Sequence, residues 1–246
     1  MKAFETTRVS IAMATYNGER YIEAQVRSIL KQLGGDDEVV IVDDASTDRT
    51  RERIAAFADP RIRLHVNDRN EGVMRSFGRA LRMTSGSIIF LADQDDVWLP
   101  GKRAALAEAL HDAAVAVSDA QVIDGEGAII APSFMALRGG FRAGLAATLI
   151  RNRYLGCAMA FRRELLEVAL PIPAGVPMHD MWLGAVSGLV GRTVYIDRPL
   201  MQYRRHEANV SPWRHADPVR MLLWRWQLAR NVVARSMAVR CRVGGR

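Results

Sequence analysis

The first 120 residues alternate between short apolar runs and amphipathic stretches, a rhythm that leaves few folds open. Residues 9–15 (VSIAMAT), 38–44 (EVVIVDD), 61–67 (RIRLHVN), 87–93 (SIIFLAD) and 115–120 (VAVSDA) read as strands. Stretches near 18–33, 47–58, 71–84 and 100–111 read as helices; in the first, Ile22, Val26, Ile29 and Leu30 share one face. Strands that alternate with helices build βαβ units, so the chain is expected to form an α/β fold, a mainly parallel sheet flanked by helices. The second and fourth strands are apolar almost throughout, as in a sheet covered on both faces.

The second half is less regular. DGEGAII (124–130) reads as a hairpin turn, PIPAGVP (171–177) as a loop, HDMWLGAVSGLV (179–190) as a helix and TVYIDRPLMQYRR (193–205) as an extended segment. An Arg-rich amphipathic helix is expected from about Pro218 to Val239. No internal repeat or low-complexity linker interrupts the chain, so one domain over 1–215 with a C-terminal helix within 216–246 is expected. At 246 residues and 49% hydrophobic content, the chain can bury a full core.

The net charge is +7, nearly all of it from arginine, since lysine occurs only at 2, 31 and 102. That balance suits polyanionic partners: nucleic acid, an anionic membrane surface or phosphorylated substrates. Cys157 and Cys241 make no disulfide framework, which suits a reducing compartment. The N-terminal MKAFETTRVS lacks the apolar core of a signal peptide, and no stretch reaches the roughly 20 apolar residues of a membrane span. The expectation is a cytoplasmic protein whose membrane contact is peripheral at most.

Acidic residues gather at strand ends. Asp43 and Asp44 close the second strand, Asp93, Asp95 and Asp96 follow the fourth, and Tyr16 and Asn17 follow the first. In an open α/β sheet, ligands bind outside the carboxyl ends of the strands, so these residues should line one crevice. A single aspartate there is commonly a turn or cap residue, and Asp44 reads so. Three carboxylates in four positions exceed any capping need. They require positive compensation, and oxygen ligands of this kind suit Mg²⁺ or Mn²⁺ bound together with substrate phosphates.

Four blocks in this order (VSIAMATYNGERYIEAQVRSIL, EVVIVDDASTDRT, NDRNEGVMRSFGRAL and LADQDDVWLPGK) resemble glycosyltransferase family 2. The resemblance is strong over 8–120 and looser over 150–212. It implies a GT-A (Rossmann-like) fold, a nucleoside-diphosphate sugar donor, a divalent cation (Mn²⁺ or Mg²⁺) and inversion at the anomeric carbon. DQDDVW and YRRHEANVS (203–211) are most similar to the branch containing rhamnosyltransferases of bacterial surface-polysaccharide assembly. The domain then divides into a nucleotide-binding half near 8–120 and an acceptor half near 121–215, the acceptor being a saccharide or lipid-linked saccharide.

The resemblance also assigns roles. Thr15, Tyr16 and Asn17 match the donor-binding motif after strand one, where a tyrosine ring can stack on a pyrimidine base. Asp43 matches the acid that meets the base imide. Arg75 lies where a basic residue approaches the nucleotide, although Ser76 departs from the Asn of many relatives. Asp93 matches the residue toward the ribose and Asp95 the cation ligand, with Asp93 and His206 as further metal ligands. Asp96, His179 and Arg204 read as supporting residues, with Arg204 and Arg205 as phosphate partners. The base must be a carboxylate on the acceptor side, and Asp180 in MHDMWLG (178–184) matches it, His179 replacing the family's Glu. Glu207 is the remaining carboxylate near this region. Cys157 reads as a small buried residue.

Other classes fit less well. A dinucleotide-dependent oxidoreductase needs Gly-x-Gly-x-x-Gly after strand one, where this chain has ATYNGER, and a nucleotidyltransferase needs a Gly-rich activating loop there. A nucleic-acid-binding α/β module would use the +7 charge, yet an acidic crevice repels a phosphate backbone, so no nucleic-acid partner is expected. The C-terminal helix has two readings. It packs on the domain with a solvated basic side, or it lies on an anionic bilayer with its tryptophans at the headgroups.

Overall fold

A computed structural model describes residues 7–206 and 218–244. The boundary expected near 215, together with Glu207 and the rest of 207–217, lies outside the described residues. In chain order the elements are β1 (Val9–Thr15), α1 (Ile22–Leu30), β2 (Glu38–Asp43), α2 (Thr50–Ala55), β3 (Ile62–Val66), α3 (Val73–Met83) and β4 (Ile88–Ala92). There follow β5 (Val97–Trp98), α4 (Lys102–Ala109), β6 (Val115–Ile123), β7 (Ile129–Ala131), α5 (Phe134–Leu137) and α6 (Leu145–Ile150). The last are β8 (Met159–Arg162), α7 (Glu164–Ala169), α8 (His179–Val186), β9 (Thr193–Arg204) and α9 (Pro218–Gly244).

One nine-stranded sheet carries the whole assembly in the order β3-β2-β1-β4-β8-β6-β9-β5, with β7 paired to β6. The strands β3, β2, β1 and β4 are parallel, as the βαβ rhythm requires. Beyond β4 the sheet is mixed: β8 enters antiparallel to both β4 and β6, while β6 and β9 run parallel. The four-residue β8 follows a short 3₁₀ turn (Gly156–Ala158) inside an apolar run with no alternation, so its pairing has no sequence signature.

The pleat sorts the apolar residues onto two faces. Val9, Ile11, Met13, Val39, Ile41, Ile88 and Phe90 face the side covered by α1, α2 and α4. Ala12, Val40, Val42, Ile89 and Leu91 face the side covered by α3, α7, α8 and the inner stripe of α9. Full coverage on both faces explains why β2 and β4 show no polar alternation. In register, Thr15 lies beside Asp43, and Met13 beside Ala92, so the chain leaves β1, β2 and β4 along one edge.

The opposite edge is held by a buried charge. Glu38 Oε1 accepts hydrogen bonds from Ser10 Oγ (2.6 Å), Ser85 N (2.6 Å) and Ser85 Oγ (2.7 Å), and Oε2 accepts from Arg63 (2.7 Å). Burial alone would raise its pKa; these bonds outweigh burial and hold it at about 2, below the ordinary 4.5. A carboxylate depressed on folding stabilises the protein above the unfolded pKa, and the gain fades as pH falls toward 2. Urea unfolding from pH 6 down to pH 2.5 should show this acid loss in the wild type. Glu38→Gln should be less stable at pH 6, by about 1–3 kcal/mol, with a shallower dependence below pH 4.5.

Candidate active site

The β1 and β2 ends are tied into one loop cluster. Asp43 is fully buried. Its carboxylate accepts hydrogen bonds from Thr15 Oγ1 (2.9 Å), Ser46 N (2.9 Å) and Ser46 Oγ (2.6 Å). The Asn17 amide accepts from Thr47 N (2.8 Å), and its backbone N–H donates to Ser46 Oγ (2.9 Å). Asn17 sits at φ 47°, a conformation asparagine tolerates. Thr15 and Asp43, read from the sequence as direct donor contacts, therefore lie beneath the surface and shape the loop. Tyr16, 44% exposed, and Asn17 are the residues that follow β1 at the surface. Asp44 is structural: it accepts from Asn67 Nδ2 and from the backbone N–H groups of Glu71 and Gly72, setting the entry to α3. Arg75, on the first turn of α3, is exposed and has no side-chain partner among the described residues. Ser76 is buried and accepts from Asn67.

Gln94, between Asp93 and Asp95, joins this cluster to the acidic loop. Its Oε1 accepts from Tyr16 N (2.8 Å), and its Nε2 donates to Tyr16 O (3.0 Å). A Cβ on Gly18 would stand 2.4 Å from that Oε1, so a larger residue there would displace the Gln94 amide from Tyr16.

Three of the carboxylates are buried or nearly so. Asp95 Oδ2 and His206 Nε2 stand 2.8 Å apart, both largely covered. Such a spacing suits neighbouring ligands of one cation with bonds of about 2.1 Å. Asp93 is half-buried, and its pKa rises to about 7, first through burial and then through repulsion from Asp95 and Asp180. Asp96 is fully buried; Oδ1 accepts from Arg204 N (2.9 Å), while Oδ2 meets no hydrogen-bond partner among the described residues. Burial, then Asp95 and Asp93, pushes Asp96 well above the usual carboxylate range. Asp93 and Asp96 each put an oxygen within 4.8 Å of Cys157 Sγ. Burial also holds the Cys157 thiol well above its ordinary pKa, so it stays protonated beneath the site.

Two cations hold this loop. Lys102 is fully buried: Nζ donates to Cys157 O (2.5 Å) and lies 4.4 Å from the centre of the Trp98 ring. Burial lowers its pKa to about 8, while Asp96 and Asp93 pull it back up. Arg204 donates through Nε to Asp95 O (2.8 Å) and through one terminal nitrogen to Asp124 O (3.0 Å) and Gly125 O (3.2 Å). It also lies 4.7 Å over the Tyr21 ring. Arg204, read from the sequence as a phosphate partner, is 7% exposed and clamps the loop backbone. Arg205 donates to the Tyr203 hydroxyl (3.0 Å).

Across the crevice, α8 presents Asp180. It is buried, accepting from Met181 N (2.5 Å), Gly156 N (3.2 Å) and the Asn152 side chain. Burial raises its pKa to about 6 despite these bonds. A base with that pKa is mostly ionised at neutral pH and can still accept a proton. His179 goes elsewhere: its ring stacks on Phe77 at 3.9 Å, and burial lowers its pKa to about 4, so it is a neutral core residue. A Cβ on Gly156 would meet His179 Nε2 at 2.9 Å, so glycine lets α8 seat both side chains.

The structure thus brings together Asp93, Asp95, Asp96, His206 and Asp180. Lys102, Gln94, Asn152 and Gly156 were not anticipated, although a lysine in a chain with three was a readable signal. A shallow concavity of about 490 Å³ opens at the opposite edge of the sheet, lined by Arg8, Asp37, Glu38, Arg61 and Arg63. There Glu38 pairs with Arg8 and Arg63, and Asp37 with Arg103.

Comparison with known proteins agrees with this geometry. The family model described as glycosyl transferase family 2 matches residues 10–169. WfgD of Escherichia coli, named UDP-Glc:alpha-D-GlcNAc-diphosphoundecaprenol beta-1,3-glucosyltransferase, is 39% identical over 38% of this chain and 37% of its own length. Staphylococcus aureus TarS 1-349 with UDP superposes with a TM-score of 0.66 at 19% identity, covering 93% of this chain and 65% of that one. The mannosyltransferase PcManGT of Pyrobaculum calidifontis, solved with GDP-Man and Mn²⁺, gives 0.66 at 19% identity over 96% of this chain and 75% of that one. The match to WfgD therefore spans little more than a third of that relative, and the structural matches establish the fold, a mixed sheet of GT-A type.

Removing Lys102 should expose how strongly the acidic loop depends on it. Lys102→Met should destabilise the protein by about 1–3 kcal/mol at neutral pH, because the buried Cys157 carbonyl loses its donor and the acidic loop its nearby cation. Guanidinium unfolding measures this directly, and an unchanged midpoint would remove Lys102 from the account.

Proposed function

The chain belongs to glycosyltransferase family 2, and on that premise we propose an inverting, cation-dependent transfer of a sugar from a nucleoside diphosphate to a hydroxyl of a saccharide or lipid-linked saccharide. The observation that carries this reading is the pairing of Asp95 with His206 at 2.8 Å, with Asp93 beside them and Asp180 close enough to perturb it. The donor set is oxygen and imidazole nitrogen, and it fits Mn²⁺ or Mg²⁺. Asp95, His206 and Asp93 would hold the cation, which supplies charge neutralisation for a leaving diphosphate.

The chain's own groups do the rest. Tyr16, with its backbone fixed by Gln94, offers a ring for the nucleobase, and Arg75, without a side-chain partner among the described residues, offers its guanidinium to the nucleotide. Asp180 takes the proton of the acceptor hydroxyl. The acceptor oxygen bonds to the anomeric carbon from the face opposite the phosphate, the carbon–phosphate oxygen bond breaks, and configuration inverts. The unit that performs this ends before α9. The donor sugar is proposed to be a hexose. The DQDDVW resemblance points to rhamnose, and the name of WfgD points to glucose, so both donors belong in the first screen.

The helix α9 supports a membrane-proximal site of action. Its inner stripe packs on the domain through Leu228 and Val232, and Arg235 donates to Leu170 O (2.7 Å) and Pro171 O (3.0 Å). Its outer stripe exposes Val219, Leu222, Leu223, Trp226, Val233 and Met237, with Arg220, Arg230 and Arg240 also exposed. Among the described residues no helix is long and apolar enough to cross a membrane. We read the stripe as a peripheral contact with anionic lipid, each arginine adding about 1 kcal/mol near the surface.

Three outcomes follow. Asp95→Asn should lose tenfold or more of the Mn²⁺-dependent affinity for UDP, dTDP or GDP, whichever the wild type binds, by calorimetry. Asp180→Asn should keep that affinity and lose about 10²–10⁴-fold in kcat, while wild-type kcat should rise with pH through about 6 as the Asp180 carboxylate ionises. Full-length protein should co-sediment with phosphatidylglycerol but not phosphatidylcholine vesicles at low salt, and Leu222→Ser/Trp226→Ser should abolish it. Wild-type turnover in Asp180→Asn would remove it as the base.

A further inference from the structure

The acceptor side carries a group of positive charges that the transfer reaction leaves unused. Arg138 follows α5, and Arg151 and Arg153 follow α6. No carboxylate pairs with any of the three among the described residues. Arg138 donates one terminal nitrogen to Asn152 O (3.1 Å), and its Nε is buried without a partner among the described residues. Arg153 donates to Gly139 O (2.7 Å) and also to Gly140 O, drawing the loop after α5 against 151–153. Arg151 is exposed. Burial, and then repulsion from Arg151 and Arg153, lowers the Arg138 pKa against the pull of Tyr203 and Asp180, so these guanidiniums crowd one another. Asp180 offsets part of this charge, and the excess of guanidiniums that remains suits an external anion.

Their position identifies which anion. Asn152 lies between Arg151 and Arg153; its carbonyl accepts from Arg138 and its side chain donates to Asp180. The cluster is thus joined through one residue to the base, on the side where an acceptor hydroxyl must enter. Ile150, 76% exposed, precedes Arg151, and its carbonyl accepts from Arg225 of α9 (2.9 Å), so the outer apolar stripe of that helix begins beside the cluster. An anion-binding site between a sugar-processing base and an exposed apolar surface matches a molecule with three parts in that order: saccharide, phosphate ester, hydrocarbon. We propose that Arg138, Arg151 and Arg153 bind the diphosphate ester that links an acceptor saccharide to its lipid carrier, the paired guanidinium donors meeting the phosphate oxygens. This rests on the glycosyl-transfer reading for the saccharide's presence, whereas the anion site itself is tested without a donor.

Water-soluble geranyl diphosphate, titrated calorimetrically into the full chain in EDTA, is the probe; without a divalent cation the Asp95–His206 side has nothing to hold a diphosphate. Wild type should bind it and should not bind geraniol. Arg151→Ala/Arg153→Ala should weaken binding at least tenfold while leaving Mn²⁺-dependent nucleotide affinity unchanged. Arg151→Glu, at an exposed position, should do the same and decides the matter if the double variant melts early. No binding by wild type, or undiminished affinity in Arg151→Glu, would overturn the proposal. So would loss of binding to phosphatidylglycerol vesicles with geranyl diphosphate affinity intact, which would assign the arginines to the bilayer. If the Asp95→Asn result fails while geranyl diphosphate still binds, the donor reading falls and the anion site stands.

Discussion

Burial of negative charge around one loop is the constraint on which the rest of the structure depends. Asp95 and Asp96 are buried, Asp93 half-buried, and Asp180 close enough to raise the pKa of Asp93. Such a group is unstable unless charge and hydrogen bonds reach it from elsewhere in the chain. Lys102 lies beneath it, Arg204 clamps its backbone from β9, and His206 caps Asp95. The sheet order follows the same need. Placing β8 between β4 and β6 brings Cys157 O to Lys102 and Gly156 N to Asp180, so both halves of the chain close around the loop.

The compensation from the chain itself is incomplete. Asp96 keeps an oxygen with no hydrogen-bond partner among the described residues, and Asp93 is held at about pKa 7. A divalent cation would relieve both at once, drawing Asp93 into its ionised form. On the proposed reading, the site would gain stability when a cation and a diphosphate enter together. On the far wall, Asp180 is raised only to about 6 because hydrogen bonds, from Met181 and Gly156 first, offset its burial, and a carboxylate in that range can accept a proton at neutral pH.

Much of this was legible in the chain. β1 to β4 and their order along one edge follow from runs such as EVVIVD and IIFLA, since parallel strands covered on both faces read as continuous apolar segments. The gathering of acids at the ends of those strands followed from the topology rule. What escaped depends on contacts distant in sequence. Lys102 reads as a solvated helix start until Cys157, 55 positions later, covers it. Arg204 reads as a surface arginine until Nε and one terminal nitrogen are seen on the Asp95, Asp124 and Gly125 carbonyls. Asp43 and Thr15 satisfy each other below the surface, which spacing cannot reveal. Of the two readings of α9, the described residues bear out the packed helix through Leu228 and Val232, while its exposed outer stripe leaves the bilayer contact a proposal.

The most direct test of the account is where a cation sits. A crystal of the protein grown with Mn²⁺ and the nucleoside diphosphate it binds, measured at the manganese absorption edge, should give one anomalous peak within about 2.3 Å of both Asp95 and His206, with Asp93 beside it and Asp180 facing it across the crevice. Clear nucleotide density without a peak at that position, or a peak coordinated by Asp96 and Cys157 instead, would contradict it.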